Sequence, residues 1–502
     1  MRPPLKRKRR LFLFILALLL SISFIFIPSK LNTINLKTLL VKNKENTFLK
    51  FSDYYNLSGF SIFINDLDPN YNWNKTTAEN DWCSGTGSWN DPFIIENITI
   101  DAQNPFNIET VILDYENSTA CITIQNSNVS FIIRNCAICN SGARILDCGI
   151  KLINVINSQI INNNFSSNSV GIYLPSNYNY SANNYNSQND ISNNIFQNNN
   201  AGVICIGHNN RIINNTFNHN NFGLLDSGVN NLISFNTMGK NQCGIGLWGN
   251  YYCTVSNNNL THNIEGLWGY YSFNNSIITN SINNNKANGI FMQSSWYNNI
   301  SNNECNSNKI NGIYLQGRFD PFLGVLPDCN YNWILENILK NNSNGILLNH
   351  TIHNKIINNK IKNNKFSGIQ LNHSDYIDIF YNRIEENYYG IILEESNLNE
   401  IIQNMVNSSY CGTMFIESDW NDVVQNTINH NYYGIYVSSS HWNDITGNIL
   451  HYNMICYIED GYCLNNKYED NDCIEIKINE INWFIVFGIF SLIGLIILLF
   501  IL

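Results

Sequence analysis

One residue constrains this chain more than any other: a glycine that returns every 21 to 23 positions. Thirteen such glycines run from Gly149 to Gly434, and ten of their twelve intervals fall in that range. The two longer intervals carry insertions, around Tyr173–Asn189 and Gly317–Asn332. A fixed period of this length is the mark of a solenoid, in which each repeat buries its apolar face against its neighbours. Within one repeat, as from Asn354 to Leu371, the order is N-x-I-x-x-N-x-I-x-x-N-x-x-x-G-I-x-L. Three short apolar stretches parted by turn residues predict three short strands per coil of about 22 residues, an all-β parallel solenoid. A leucine-rich repeat has a similar period, but its consensus L-x-x-L-x-L-x-x-N is absent.

Stacking at the β spacing of about 4.8 Å places residues one period apart above one another. Ile356, Ile379, Ile401, Val423 and Ile445 then form one interior column, and Asn359, Asn382, Asn404, Asn426 and Asn448 form another. Asparagine is about one residue in five, and a ladder of side-chain amides satisfies polar groups at a bend. The recurring glycine is expected in a turn that requires φ > 0. Most of the asparagine is therefore structural.

The ends differ from the body. Residues 1–30 hold a basic start, Met1 to Arg10, and an apolar run from Leu11 to Ile27. Basic residues ahead of a hydrophobic stretch stay in the cytoplasm, so the body is expected outside. With no A-x-A cleavage site, the run is read as an uncleaved anchor rather than a cleaved signal peptide. Residues 31–80 are a membrane-proximal segment without repeat, 81–480 the solenoid, and 483–502 a charge-free stretch led by Trp483 that predicts a transmembrane helix. The expected location is the cell membrane with an extracytoplasmic body. A net charge of −10, with no basic patch beyond the N-terminus, argues against a nucleic-acid partner and makes cations the natural counterpart. Among the fourteen cysteines, Cys136 and Cys139 form a lone C-x-x-C that suits buried thiols or a local disulfide better than a structural metal. Cys456, Cys463 and Cys473 crowd the end of the body, where a disulfide would fasten a cap.

The coils, entered through G-T-G-S-W-N-D-P-F-I-I-E-N after Trp82, resemble the right-handed parallel β-helix family, and within it the NosD-like and carbohydrate-binding or sugar-hydrolase branch. The resemblance covers about Trp82 to Cys456. It implies the fold, whereas activity varies widely on this scaffold. An active polysaccharide enzyme on this scaffold should carry its family's motif, such as the D-P-H-D of mannuronan epimerases, yet Asp68-Pro69, Asp91-Pro92 and Asp320-Pro321 are followed by Asn or Phe. The polygalacturonase N-T-D and G-H-G and a lyase R-x-P-x-x-R are also missing. The copper delivery that a NosD likeness implies would want M-x-M or H-x-H clusters, and there are none.

Counting from the glycines isolates four columns. Five residues on lie His350, His373, Glu395 and Glu417; His373, Glu395 and Glu417 are the candidate catalytic residues, and a His–Glu contact would also suit a transition metal. Seven on lie Asp375, Asn397, Asp419 and His441. Ten on lie Asp378, Glu400, Asp422 and Asp444, stacked carboxylates that are candidate metal ligands, with calcium the natural cation. Eight on lie Tyr252, Tyr297, Tyr376, Trp420 and Trp442, with His353 among them. Tyr297, Tyr376, Trp420 and Trp442 are the candidate carbohydrate-binding residues if they face solvent, and core if they face inward. Trp248, Trp268 and Trp296 are expected to extend such a strip. The resulting expectation is a membrane-anchored surface protein that binds extracellular polysaccharide or a glycoprotein. The alternative is a polysaccharide lyase, epimerase or hydrolase, and a lesser one a NosD-like copper accessory protein.

Overall fold

The computed structural model describes residues 55–107, 118–175, 186–320, 324–326 and 328–476. Both hydrophobic terminal segments lie outside these residues, and among the described residues no helix is long and apolar enough to cross a membrane. The repeat folds as its period predicts, into a right-handed parallel β-solenoid. One coil shows the pattern: strands Lys355–Ile357, Lys360–Lys362 and Ser367–Asn372 are each followed, one coil on, by Asp378–Phe380, Arg383–Glu385 and Tyr389–Glu394 in parallel register. The strands that carry the recurring glycine stack into one sheet of sixteen. The strands with the isoleucine column form a second ladder. The third face comprises sheets of nine and seven strands, joined through single bridges at Glu304.

Ile356, Ile379, Ile401, Val423 and Ile445 are fully buried, one above another. Each contributes roughly 1.5–3 kcal/mol of burial. The asparagines stand at the corners between sheets. Asn359, Asn382, Asn404 and Asn426 each donate Nδ2 to the Oδ1 of the next, at 3.0–3.1 Å. The same oxygens accept the backbone N–H of the coil before, as from Asn359 to Asn382 at 2.9 Å. Two further corners repeat the device, through Asn342, Asn364 and Asn387 and through Asn399, Asn421 and Asn443. The chain therefore carries three such ladders where the sequence reading found one.

The glycine column corrects one expectation. Its members do not adopt φ > 0; the left-handed positions belong to the residues just before the ladder asparagines, such as Asn358, Tyr381, Gln403 and Gln425. The reason is geometric: each tight corner needs one left-handed step ahead of the inward asparagine, whereas the glycine lies flat on its neighbours and has no room for a Cβ.

The ends are closed differently. Strands Tyr55–Asn56 and Ile62–Asn65 join the stack ahead of residue 81, pairing with Ile98–Asn104 and Ala120–Ser127. Helix Trp73–Glu79 covers this end: Trp73 is buried, stacks on Phe93 at 5.0 Å between ring centroids, and donates Nε1 to Ser127 at 2.9 Å. At the other end a disulfide joins Cys456 to Cys473. The charged strands Lys467–Glu469 and Asp472–Glu475 blunt the last edge against further pairing. Cys136 and Cys139 are free, buried thiols; of the twelve free cysteines only Cys463 reaches the surface. Burial pushes the Cys136 and Cys139 thiols up to about 12, which disfavours the reactive thiolate.

Candidate functional site

The corner between the glycine sheet and the second ladder turns through left-handed residues: His353, Tyr376, Leu398, Trp420 and Trp442, all with φ between 56° and 60°. That step throws the side chain outward while the next residue goes in. Tyr297 is 56% exposed, Tyr376 47%, Trp420 53% and Trp442 47%, so this column faces solvent. Its rings stack in series: Tyr297 on Tyr331 at 5.1 Å, Tyr331 on His353 at 5.1 Å and His353 on Tyr376 at 4.9 Å. After the exposed Leu398, Trp420 and Trp442 lie parallel at 5.0 Å. Rings inside the stack cover one another, so the column offers ring edges along its length and open faces where Leu398 interrupts it. Tyr331 escaped the sequence reading because the preceding insertion moves it out of step with the glycine count. Trp248 and Trp268 do not extend the column. They project from the glycine sheet, with ring centroids 5.7 Å apart, while Trp296 stacks on Phe273 in the adjoining column.

Beside the rings runs the carboxylate column, with Asp378, Glu400, Asp422 and Asp444 in direct register. Lys355 closes one end, its Nζ 2.7 Å from Asp378, and Lys467 the other, 3.7 Å from Asp444. Among the described residues Glu400 and Asp422, in the middle, have no cation partner. Partial burial, then the charges of Asp378 and Asp422, push the Glu400 carboxyl up; partial burial and Asp444 do the same to Asp422. The two columns border a groove of about 310 Å³, with Tyr331, His353 and Tyr376 on one side, Lys355, Asp378 and Glu400 on the other, and Leu398 between coils.

A raised carboxyl pKa means that the folded state binds the proton more readily than the unfolded chain. This group's repulsion is therefore relieved as pH falls through the raised value, and is fully present above it. Glu400→Gln is expected to raise stability at pH 7 by about 0.2–1 kcal/mol, the range for like charges directly opposite in a sheet. The gain should vanish below the ordinary glutamate value of about 4.3. Urea unfolding at pH 7 and pH 4 reads both.

The five-after-glycine column also turns outward. His350 and His373 lie 4.5 Å apart between ring centroids, and His373 Nδ1 is 3.3 Å from Glu395 Oε2. Burial and the neighbouring His373 hold His350 below its ordinary pKa, against the opposing pull of Glu395. Glu417, the third candidate, follows one coil on; its backbone N–H donates to the Ser438 carbonyl, and its carboxylate has no hydrogen-bond or ion-pair partner among the described residues. The seven-after column is structural. Asp375, Asn397 and Asp419 each accept the backbone N–H of the coil after, at 2.6–2.7 Å.

Two polar sites were missed. Glu265 ends a chain of side-chain hydrogen bonds one residue before the glycines, from Ser367 through Asn344, Asn311 and Asn288. Burial pushes its carboxyl up to about 7. Asp226 sits fully buried in the core and accepts from Asn231, Asn250 and the Cys253 thiol at 2.7, 3.1 and 3.3 Å. Reading the column before the glycines would have found the first. The second shows in sequence only as an acid where its column is otherwise apolar.

Solved structures with a similar chain trace include the A-module of mannuronan C-5 epimerase AlgE6 from Azotobacter vinelandii. It is 12% identical over 72% of this chain and 91% of its own, with a TM-score of 0.42. The periplasmic alginate epimerase AlgG is 12% identical over 80% and 83%, with a TM-score of 0.38. The Dettilon tailspike protein is 15% identical over 68% and 62%, with a TM-score of 0.31. At these identities and scores the likeness is to the solenoid alone. No curated protein matches the chain. The family described as periplasmic copper-binding protein (NosD) matches residues 218–320, 324–429 and 388–482, the coils that carry the aromatic and carboxylate columns. These stretches together cover more than half of the sequence, and the chain belongs to the NosD family of parallel β-helix proteins.

Proposed function

We propose that this protein is an extracytoplasmic surface module that binds extracellular polysaccharide along the aromatic corner between Tyr331 and Trp442. The observation that carries the reading is the solvent exposure of that column beside a groove. Indole and phenol rings held on a rigid scaffold offer apolar surface to sugar rings with little loss of side-chain freedom. The sequence of Leu11–Ile27 and Trp483–Leu502 supports attachment to the membrane at both ends. Size-exclusion chromatography of the full chain in detergent with neutral, acidic and amino polysaccharides is expected to show co-elution with chains of unchanged length. Shortened chains would instead identify a lyase or hydrolase, and loss of co-elution from every polymer would remove the reading.

A second reading rests on a separate observation, the contact of His373 with both His350 and Glu395. Two imidazoles and a carboxylate on successive coils are nitrogen and oxygen donors of the kind that suit copper(II). The family description names copper. The thiols fit less well: in the one compact cluster among the described residues, Cys456, Cys473 and Glu475, both sulfurs are spent in the disulfide. Calorimetric titration with copper(II) is expected to lose at least ten-fold in affinity on His373→Ala; no heat with the unaltered chain would remove this second reading.

A further inference from the structure

Resting on the polysaccharide reading, we infer that the groove from Tyr331 to Glu400, continued on the next coil by Trp420 and Asp422, selects an ammonium-bearing polymer, a polysaccharide of amino sugars, over neutral or uronate chains. Two independent features of the same groove converge on this chemistry. The first is charge. Four carboxylates stand in register in a chain where charged residues are only 13% of the total. The lysines at the two ends match only Asp378 and Asp444. Glu400 and Asp422 are left adjacent, one strand apart, with no ion pair of their own among the described residues; Lys355, paired to Asp378, only partly offsets the repulsion at Glu400. A ligand cation seated between them would remove a repulsion that the folded chain otherwise carries.

The second feature is the wall. Tyr376 and Trp420 lie two residues before Asp378 and Asp422 on the same coils, and their rings are half exposed. Aromatic faces attract cations through the ring quadrupole, tryptophan most strongly, and a carboxylate opposite completes the recognition of an ammonium group. Leu398 interrupts the stack on the coil that carries Glu400, which opens ring faces beside the unpaired acids. The site is thus aromatic on one side and carboxylate-lined on the other, with Lys355 spent on Asp378, and it is elongated along the solenoid axis. An extended chain of rings with periodic ammonium groups matches all three properties. A uronate chain would place its own carboxylates against Glu400 and Asp422.

Calorimetry on the full chain in detergent micelles tests this with a glucosamine hexamer, its fully N-acetylated counterpart and a uronate hexamer with and without calcium. The expected result is at least ten-fold tighter binding of the glucosamine hexamer than of the N-acetylated one. Glu400→Gln with Asp422→Asn should cut that preference below three-fold, through loss of affinity for the glucosamine hexamer. Since these variants remove a repulsion, they are expected to fold. Equal affinities for the two hexamers, or a preference that survives both substitutions, would overturn the inference and leave the polysaccharide reading intact. Tightest binding to the uronate hexamer with calcium would overturn it in favour of a bridging metal ion. No binding by any hexamer would overturn both.

Discussion

Asn404→Leu is expected to cost about 3–6 kcal/mol, seen as a fall in melting temperature and a loss of amide protection in the coils on either side. Asn404 is buried at the middle of a ladder. Its Oδ1 accepts both the backbone N–H and the Nδ2 of Asn382, at 2.9 and 3.0 Å. Its Nδ2 donates to the Ile379 carbonyl at 2.7 Å and to Asn426 at 3.1 Å. Leucine shares the branched outline but is the bulkier residue, so overpacking at this buried corner adds to the cost. Of the four groups it deprives, Asn382 Nδ2 keeps the Ile356 and Phe380 carbonyls, and Asn426 Oδ1 keeps the backbone N–H of residue 404. The Asn382 N–H and the Ile379 carbonyl lose the side-chain bonds that Asn404 supplies, at about 1–3 kcal/mol each. Because a solenoid couples mainly neighbour to neighbour, the loss should centre on the coils carrying Asn382, Asn404 and Asn426. Hydrogen exchange resolves that pattern; a uniform loss along the body would contradict it. Asn404→Asp keeps the acceptor and discards the donor, and should fall between the two.

Gly390→Ala is expected to cost about 2–3 kcal/mol, although alanine is ordinarily the better residue in a folded backbone. The added Cβ would stand 2.3 Å from Val406 Cγ1 and 2.4 Å from the Gly412 carbonyl oxygen. The valine can move and the carbonyl cannot, since parallel pairing between these two strands fixes it. Overpacking against an immobile neighbour falls at the upper end of the usual range. Val406→Ala in the same chain should recover part of the loss and not all of it. Full recovery would mean that the carbonyl contact is slack.

Both predictions turn on what the sequence could and could not disclose. The glycine period and the isoleucine and asparagine columns were legible because stacking converts a spacing of about 22 residues directly into contact. The Cys456–Cys473 bond was legible only as one pairing among three closely spaced cysteines. The reason for the glycine was not: a position that needs φ > 0 and a position with no room for a Cβ look the same in one sequence. Only the coordinates move the left-handed steps to Tyr381 and Gln403.

The site was legible in the same uneven way. Asp378 to Asp444 and Tyr376 to Trp442 could be placed by counting from glycines, since the intervals there are uniform. Tyr331, which completes the ring stack, lies beyond an insertion that breaks the count. The exposure of the rings could not be counted at all, because alternate residues at a corner do not keep the simple in–out rule of a strand. That Glu395 meets His373 while the Glu417 carboxylate has no partner among the described residues depends on side-chain reach rather than on register.

The most direct test of the account takes the polysaccharide that co-elutes most strongly and measures retention of Trp420→Ala with Trp442→Ala against the unaltered chain. Both rings are about half exposed and lie outside the core, so melting temperature should hold while retention falls at least ten-fold. Undiminished retention by the folded double variant would contradict the claim that this corner is where the polymer binds.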